Sequence, residues 1–312
     1  MKTESMHKKN PTSRFQAKIE SGANVVVAQF RPPKSGDAGA VRSLAREFAG
    51  KVHAVGVCDN HREIGMSALA AASLVTVEGV EPILHVVTRD RNRIALASDC
   101  LGAAALGIHN ILCTSGTHQT LGAFRSGRNV FDIDSVQLIQ LYAHPSQSAS
   151  WVGEKQMDDC GPFCVGGTAA PCADPLDMQV TRLAKKIQAG AKFLVTQPIF
   201  DLDRFNTWWQ EVTRRGLHER VAILAGIGVL TSSDEAVEYA QRRPLPLVPP
   251  ALLERLASKS GVDGQRKEGL AIAKETIDRL RAIPGLRGFD VSADGDATAA
   301  LAAIAAAGLK AD

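Results

Sequence analysis

The sequence predicts an α/β protein built as a single-domain (β/α)8 TIM barrel, and three observations support this architecture. Short runs rich in β-branched residues alternate with amphipathic helical stretches, and this alternation occurs eight times along the 312 residues. The strand segments are apolar throughout, as in parallel sheets that helices cover on both faces. Eight such units in a chain of this length fit a closed barrel. Periodicity alone leaves a doubly wound open sheet as the alternative.

The first half of the chain supplies a lead-in and four strand–helix units. Residues 1–22 are polar, and we expect a flexible segment that becomes helical near Phe15–Ile19, before a barrel domain over residues 23–312. Each predicted strand is followed by a helical segment with apolar residues three and four positions apart. These pairs are NVVVAQFR (24–31) with GAVRSLAREFAG, VHAVGVCD (52–59) with REIGMSALAAASLVTVEG, PILHVVTRD (82–90) with NRIALASDCLGAAALGI, and HNILCTSG (109–116) with DSVQLIQLYA.

The second half repeats the pattern four more times, with a longer helical stretch over residues 249–283 before the last strand. No shift in composition indicates a second domain. The remaining pairs are PFCVGGTAA (162–170) with PLDMQVTRLAKKIQAGA, KFLVTQPIF (192–200) with DRFNTWWQEVTRRG, RVAILAGIGV (220–229) with SSDEAVEYAQRR, and LRGFDVSAD (286–294) with ATAALAAIAAAGL.

The composition is that of an ordinary globular protein and argues against two classes of partner. Hydrophobic residues make up 45% and charged residues 22%, and the formal net charge is only +3. The sequence has no basic stripe with interleaved aromatic residues, so we expect no nucleic acid partner. No apolar run reaches the ~18–20 residues of a membrane span, and the first 22 residues lack the apolar centre of a signal peptide. We therefore expect a cytoplasmic protein with no membrane contact.

The six cysteines are expected to be reduced thiols. Without an export signal, free thiols are the default state. The spacing Cys160-x3-Cys164-x7-Cys172 resembles a run of metal ligands, but structural zinc sites use tight pairs such as Cys-x2-Cys and a fourth ligand. We predict no metal site and place these cysteines in the core or in loops.

Polar residues at the carboxyl ends of the strands are candidate site residues, because active sites of barrels lie at that end. Their side chains are mainly amides and hydroxyls, interspersed with glycines, and no pair of carboxylates suits glycoside hydrolysis. Amides suit a planar heterocycle with paired donors and acceptors, such as a pterin or a flavin. This rule selects Gln29 and Arg31, Cys58–Asn60, Thr88–Asp90, Ser115–His118, Gly166–Thr168, Thr196 and Gln197, and Gly226–Gly228.

Two assignments stay open from the residues alone. His85 on the third strand is either a core histidine or a ligand contact, and Lys185 with Lys186 is either a solvated helix face or part of a site. Arg182 and Lys186 are four residues apart and share one face of a helix.

Four segments together resemble the methylenetetrahydrofolate reductase family, in its short bacterial form. The segments are FRPPKSGD (30–37), EPILHVVTRDRNRIALASDCLGAAALGIHNIL (81–112), VFDIDSVQLI (130–139) and KKIQAGAKFLVTQPIFD (185–201). The resemblance runs from about residue 14 to the last helix. It implies a (β/α)8 barrel with a non-covalent flavin at the carboxyl face. In this family the flavin passes a hydride between a nicotinamide and the one-carbon unit of tetrahydrofolate, which interconverts 5,10-methylene- and 5-methyltetrahydrofolate.

The resemblance also implies roles for individual residues. Gln197 matches the glutamine that binds the pterin and lies where the nicotinamide stacks, and His85 matches a flavin contact. Gln29 and Thr117 fall at substrate-binding and catalytic positions, and we assign the proton relay to His118, next to Thr117. The cofactor-binding positions are Cys58, His85, Thr88, Ser115, Gly116, Thr117, Asp134, Ala170, Arg182, Lys185 and Lys186.

The chain departs from the family pattern at the reaction centre. Gln29 stands where the family has a Glu that acts as the acid, and Thr117 stands where it has an Asp beside the flavin; Ser115 replaces a basic residue and Cys58 a threonine. A glutamine is not a useful proton donor, and general acid catalysis contributes roughly 10²–10⁴ in rate. A carboxylate removed from ~5 Å, at an effective dielectric of ~20, favours the reduced flavin by about 3 kcal/mol. For two electrons this is on the order of 70 mV.

Three functions follow as hypotheses. The first is a flavoprotein of this family biased to oxidation of 5-methyltetrahydrofolate in one-carbon catabolism. The second is an ordinary NAD(P)H-dependent reductase, and the third is a barrel that has lost its chemistry and binds folate or a partner subunit. The resemblance favours FAD over FMN or a flavin-free protein, with NAD(P)H or another electron partner, tetrahydrofolate derivatives as ligands, and a homo-oligomer.

Overall fold

The computed structural model describes residues 11–60, 63–121, 126–153, 155, 157–241 and 248–311. Eight parallel strands form a closed barrel in chain order, and the first strand pairs with the last through Val25↔Gly288 and Val27↔Asp290. The barrel prediction is confirmed, and this pairing excludes the open sheet. The strands are β1 Val25–Phe30, β2 Ala54–Val57, β3 Pro82–Val87, β4 Asn110–Thr114, β5 Cys164–Ala169, β6 Phe193–Pro198, β7 Ala222–Gly228 and β8 Gly288–Ser292.

Helices follow each strand and cover the outside of the barrel. The described helices are α1 Arg14–Glu20, α2 Ala38–Phe48, α3 Ala68–Val77, α4 Arg93–Ala105, α5 Ser135–Ala143, α6 Pro145–Ser148, α7 Leu176–Gln188, α8 Leu202–Arg214, α9 Ser233–Gln241, α10 Pro250–Ala257, α11 Gly261–Arg281 and α12 Ala297–Ala306. In the described ranges, none of them is both long enough and apolar enough to cross a bilayer.

Short polar side chains set where several helices begin. A side-chain oxygen at the N-cap position accepts a backbone N–H of the first turn, which satisfies one of the donors that a helix leaves unpaired. Before α5 the Asp134 carboxylate accepts from Val136 and Gln137, and the Gln137 side chain accepts from the Asp134 N–H, forming a capping box. Other helices that begin this way include α1, α2, α4, α8 and α12, capped by Ser13, Asp37, Asn92, Asp201 and Asp296.

Helix α1 closes the amino-terminal end of the barrel. Phe15 is fully buried and meets Phe193 of β6 edge to face, with ring centroids 5.1 Å apart. The Glu81 carboxylate accepts the backbone N–H groups of Arg14 and Phe15 at 2.6 and 2.7 Å, which fixes the start of the helix. Val25, Val27 and other inward residues of the strands pack with Phe15 in one interior cluster. The opposite, carboxyl end is therefore the open end of the barrel.

Candidate active site

Gln29 and Gln197 both lie near the carboxyl ends of their strands, at the open end of the barrel. Side chains alternate along a strand, and Val25 and Val27 of β1 belong to the interior cluster, so Gln29 faces inward too. Phe193 and Val195 of β6 face the interior, and Gln197 follows them in a segment where the register of β6 with β7 shifts, between Val195 and Pro198. Gln197 Oε1 is buried and has no hydrogen-bond partner among the described residues. The barrel thus brings two amides, predicted from separate strands, to its open carboxyl end, which we call the mouth.

Asp290 of β8 lies beside Gln29, and sequence reasoning did not select it. Gln29 Nε2 donates to Asp290 Oδ2, whereas Asp290 Oδ1 is buried with no partner in the described part of the chain. The residue is 3% exposed. Burial raises the pKa of Asp290 to about 7, and the hydrogen bond from Gln29 opposes that rise. The signal in the sequence was a carboxylate inside the apolar strand GFDVS, because an acidic residue is rarely placed in a core strand without a role.

His85 and Cys58 lie on the same side of the mouth as Gln29, and both side chains are neutral. The His85 ring passes over Gly56, where a Cβ atom would lie 2.9 Å from Nε2, so β2 makes room for the imidazole by having no side chain. Burial lowers the pKa of His85 to about 4. Cys58 Sγ lies 3.7 Å from Gln29 Oε1, and burial raises the pKa of that thiol to about 12. At neutral pH both side chains are uncharged.

The loop after β4 packs against the end of β3 and the residues that follow it. Gly116 has φ +80°, and a Cβ atom there would overlap Val87 Cγ1, so glycine lets the loop lie against the strand. Arg89, almost fully buried, donates to the Thr117 carbonyl at 3.1 Å and to the Asn60 carbonyl at 2.8 Å. This guanidinium joins two rim loops; the strand-end rule selected Arg89 as a candidate site residue but did not indicate this role.

The other predicted residues in and next to this loop differ in their exposure. Thr88 is fully buried, and its hydroxyl lies 3.5 Å from the Ser115 carbonyl. Thr117 and His118 are exposed, and His118 Nδ1 lies 2.8 Å from Thr120 Oγ1. The described contact of His118 is thus within its own loop.

The basic residues predicted on α7 separate into one buried and two exposed cations. Lys186 is 8% exposed, and its Nζ donates to the Thr168 carbonyl at 2.5 Å. Burial and the nearby Arg182 lower the pKa of Lys186 to about 8, while Asp134 opposes this. Arg182 and Lys185 are exposed. Among the described residues, none of the three cations forms an ion pair. Ala170 lies half-buried in the loop after β5.

A small cavity of about 140 Å³ opens at the rim between the ends of β1 and β2. Arg31, Pro32, Cys58 and Gly65 are among the residues that line it. Arg31 forms an ion pair with Asp294, in the loop after β8. The arginine therefore ties the first and last rim loops together.

The three cysteines with ligand-like spacing lie apart. Cys160 contacts Cys100 of α4 with the sulfur atoms 2.9 Å apart, Cys164 is buried in the barrel interior, and Cys172 approaches the Asp201 carbonyl. Within the ranges that the structure describes, no three His, Cys, Asp or Glu side chains are grouped so as to hold a metal ion.

Comparison with known proteins gives one family. Residues 14–290 match the family model described as methylenetetrahydrofolate reductase. A segment of 123 residues is 27% identical to methylenetetrahydrofolate reductase 1 of Schizosaccharomyces pombe and covers 38% of this chain. It spans only 20% of the length of that curated relative.

Two solved structures share the fold. An uncharacterized protein from Clostridium thermocellum that binds two copies of 5-methyl-5,6,7,8-tetrahydrofolic acid has a TM-score of 0.63, with 94% of this chain and 97% of that chain covered at 12% identity. DmoA from Hyphomicrobium sulfonivorans has a TM-score of 0.53, with 93% and 90% covered at 9% identity. At these identities the likeness shows the fold alone.

Proposed function

The chain belongs to the methylenetetrahydrofolate reductase family, and we propose that it interconverts 5,10-methylenetetrahydrofolate and 5-methyltetrahydrofolate with the help of a bound flavin. The observation that carries this proposal is Gln197 Oε1, a buried acceptor without a partner among the described residues, on an amide near the carboxyl end of β6. A buried acceptor that is left unpaired is unfavourable, so it is expected to pair with a ligand. A pterin edge offers the matching donor.

Folate as the ligand has further support. Gln29 and Gln197 each offer a donor and an acceptor, which suits a ring with alternating donors and acceptors. A protein of the same fold from Clostridium thermocellum binds 5-methyltetrahydrofolic acid. His85 and Cys58, neutral at pH 7, leave a mouth suited to an uncharged ring system.

The residues assigned to the flavin fit an anionic cofactor. Arg182, Lys185 and Lys186 form no ion pair with the described residues, and unpaired cations suit the phosphates of FAD. Lys186 lies buried on the barrel wall, and Arg182 and Lys185 lie exposed on the same helix. When bound, the flavin would supply hydride transfer to or from the one-carbon unit. The chain's own residues would hold its phosphates and border its ring with the Ser115–Thr117 loop.

The proposed reaction could run mainly toward oxidation of 5-methyltetrahydrofolate or mainly toward its formation, and residues near the mouth bear on this choice. Gln29 and Thr117, in place of two acids, favour oxidation of 5-methyltetrahydrofolate by making the flavin more oxidising. The Asp290 carboxyl beside Gln29 favours the second candidate, an ordinary NAD(P)H-dependent reductase, because it returns an ionisable acid to the mouth. Initial rates in both directions, with a dye acceptor and with NADH, separate these candidates.

The absorbance spectrum of the purified protein tests the proposal. We expect a yellow protein with a flavin spectrum that bleaches when 5-methyltetrahydrofolate is added without oxygen. Gln197→Ala should weaken folate binding and slow the bleaching, because it removes the amide that pairs with the pterin. Gln210→Ala, which alters an exposed glutamine on α8, is the matched control and should behave like the wild type.

A colourless protein that still binds folate would contradict the proposed chemistry and support a folate-binding barrel. A flavin spectrum that no folate derivative bleaches, and that NADH alone reduces, would contradict folate as the substrate.

A further inference from the structure

The carboxyl group of Asp290 and the amide of Gln29 form one unit across the seam where the barrel closes. Val27 of β1 is in register with Asp290 of β8, so Gln29 lies two residues nearer the mouth. Its Nε2 donates to Asp290 Oδ2. This bond turns the amide so that Oε1 lies toward Cys58, where the thiol is 3.7 Å away. Of the two carboxyl oxygens of Asp290, Oδ2 therefore accepts a hydrogen bond from the protein, and Oδ1 remains to be considered.

The second oxygen, Oδ1, is buried with no partner in the described chain. The residue is 97% buried, and an unpaired carboxyl oxygen at such a depth is unfavourable whether it carries a proton or a charge. Buried polar atoms in folded proteins are nearly always paired, so this oxygen calls for an ordered water or a ligand. A ligand atom that exchanges a proton with Oδ1 would satisfy it in both states.

Asp290 is also the group of this cluster that is able to change its charge near neutral pH. From β2 and β3, Cys58 and His85 face the same region, and burial keeps both neutral. From β7, the residue in register with Asp290 is Gly226, which has nothing to titrate. From the end of β1, Arg31 is engaged with Asp294. Burial raises the pKa of Asp290 itself to about 7.

One strand, β7, lies between Asp290 and Gln197, and its glycines let β6 pack closely against it: a Cβ atom at Gly226 would overlap the Thr196 carbonyl oxygen. Strand β7 separates β6 from β8, and its register joins Pro198, Gly226 and Asp290. Ala222 and Leu224 of β7 face the interior, so Gly226 and Gly228 occupy the following inward positions and carry no side chain. Gln197 Oε1 and Asp290 Oδ1 are two buried acceptors, unpartnered among the described residues, on the strands that flank β7.

We propose that Asp290 is the carboxyl that exchanges the proton with N10 of the folate, so that the acid of this active site stands on β8 and not on β1. This inference rests on the proposed function. In the reductive direction the Oδ1–H proton moves to N10 while the bond from N10 to the methylene carbon breaks, which leaves the carboxylate and an iminium at N5. In the oxidative direction N10 attacks the iminium carbon, the C–N bond forms, and the N10 proton moves to the carboxylate. The hydride transfer would be supplied separately, by the flavin of the proposed function.

The test compares Asp290→Asn with the wild type in folate turnover against pH. Loss of the proton-exchanging group should lower kcat by roughly 10²–10⁴ and remove the limb of the pH profile near 7, while the affinity for 5-methyltetrahydrofolate changes little. The double variant Gln29→Glu/Asp290→Asn exchanges the two groups and preserves one hydrogen bond between them. We expect it to recover at least tenfold of the lost kcat. Asp263→Asn, on the exposed start of α11, is the control for loss of a carboxylate.

A second readout does not need turnover. The infrared band of a protonated carboxyl group should be present below pH 7, fade as the pH rises through that value, and be missing in Asp290→Asn. If the wild type turns over folate and Asp290→Asn keeps the same kcat and the same pH limb, the role of Asp290 is overturned while the proposed function stands. Loss of that limb in His118→Ala and not in Asp290→Asn would overturn it in the same way. A wild type that neither binds nor converts folate would overturn the proposed function, and this inference with it.

Discussion

A single buried carboxyl group at Asp290 links the stability of the protein to pH. An ionised carboxylate is poorly solvated inside the barrel, and its described polar contact is the Gln29 amide. The folded state therefore holds the Asp290 proton up to about pH 7, whereas the unfolded chain releases it near the ordinary aspartate value of 3.8. Between these values the folded state binds more protons than the unfolded state, so stability falls as the pH rises.

Asp290→Asn is expected to remove this pH dependence. Near pH 4 and below, the variant and the wild type should have similar free energies of unfolding. From there to pH 7 the wild type should lose stability relative to the variant, and above pH 7 the variant should be more stable by up to about 4 kcal/mol. Urea unfolding at pH 4, 5.5, 7 and 8.5 measures the difference. A wild type that gains stability over the variant as the pH rises would show that Asp290 is charged and well solvated.

Contacts between elements hold the rim loop that borders the mouth. Gly116 adopts φ +80° against Val87 of β3, and Arg89 ties the next residue of the loop to the neighbouring rim. Close approach of a loop to a strand needs both the absent side chain and a left-handed backbone.

Gly116→Ala is expected to destabilise the protein by more than the conformational penalty alone. A positive φ costs about 1–2 kcal/mol for alanine, and overlap with Val87 adds about 1–3 kcal/mol. Gly107→Ala is the matched control, because Gly107 has φ +69° and open space where a Cβ atom would be. Urea unfolding compares the two, and Gly116→Ala/Val87→Ala should recover part of the difference. Equal losses for the two glycines would show that the loop moves away without cost.

Helix α1 closes the amino-terminal end of the barrel, opposite the mouth. Its Phe15 ring packs on Phe193, at the end opposite Gln29 and Gln197. We expect Phe15→Ala to lower the free energy of unfolding by about 3–5 kcal/mol, because it leaves a cavity in a closed interior. Lys18→Ala, in the same helix, should change it by less than about 0.5 kcal/mol. Thermal unfolding checks both. A loss of similar size in the two variants would mean that helix propensity, and not the packing of Phe15, holds α1.

The whole molecule brings together groups that are far apart in the chain. Cys100 of α4 and Cys160, in the segment before β5, are 60 residues apart in sequence, and their sulfur atoms lie 2.9 Å apart. The contact with Cys100 lowers the pKa of Cys160, which makes Cys160 the better nucleophile of the two.

Oxidised glutathione is expected to join these two cysteines. The two thiols lose two electrons and two protons, the S–S bond forms, and the glutathione disulfide is reduced to two thiols. A closed loop of this length is expected to stabilise the fold by about 4 kcal/mol in the chain-entropy model, and so to raise Tm. Peptide mapping and thermal unfolding measure the result, with Cys160→Ser as the control that should show no shift. A disulfide that forms and leaves Tm unchanged would contradict the expectation.

Local patterns were enough to predict the scaffold. The valines of β1 and the apolar run of β7 form strands through neighbouring residues, so periodicity predicts them. The rule that site residues follow strand ends also placed Gln29 and Gln197 at one mouth, because all strands of a barrel run in the same direction. What the pattern did not reveal was which of two adjacent lysines on α7 would be buried.

The sequence by itself determined eight strand–helix units, their order and the end of the barrel at which amides gather, since each depends on residues close together in the chain. Only the tertiary structure decided that Asp290 meets Gln29, that Lys186 is buried while Lys185 is exposed, and that Cys100 meets Cys160. The physical reason is that the barrel closes and so brings segments into contact that are distant in the sequence. The first strand pairs with the eighth, and the charge state of a side chain depends on which distant segments exclude water from it.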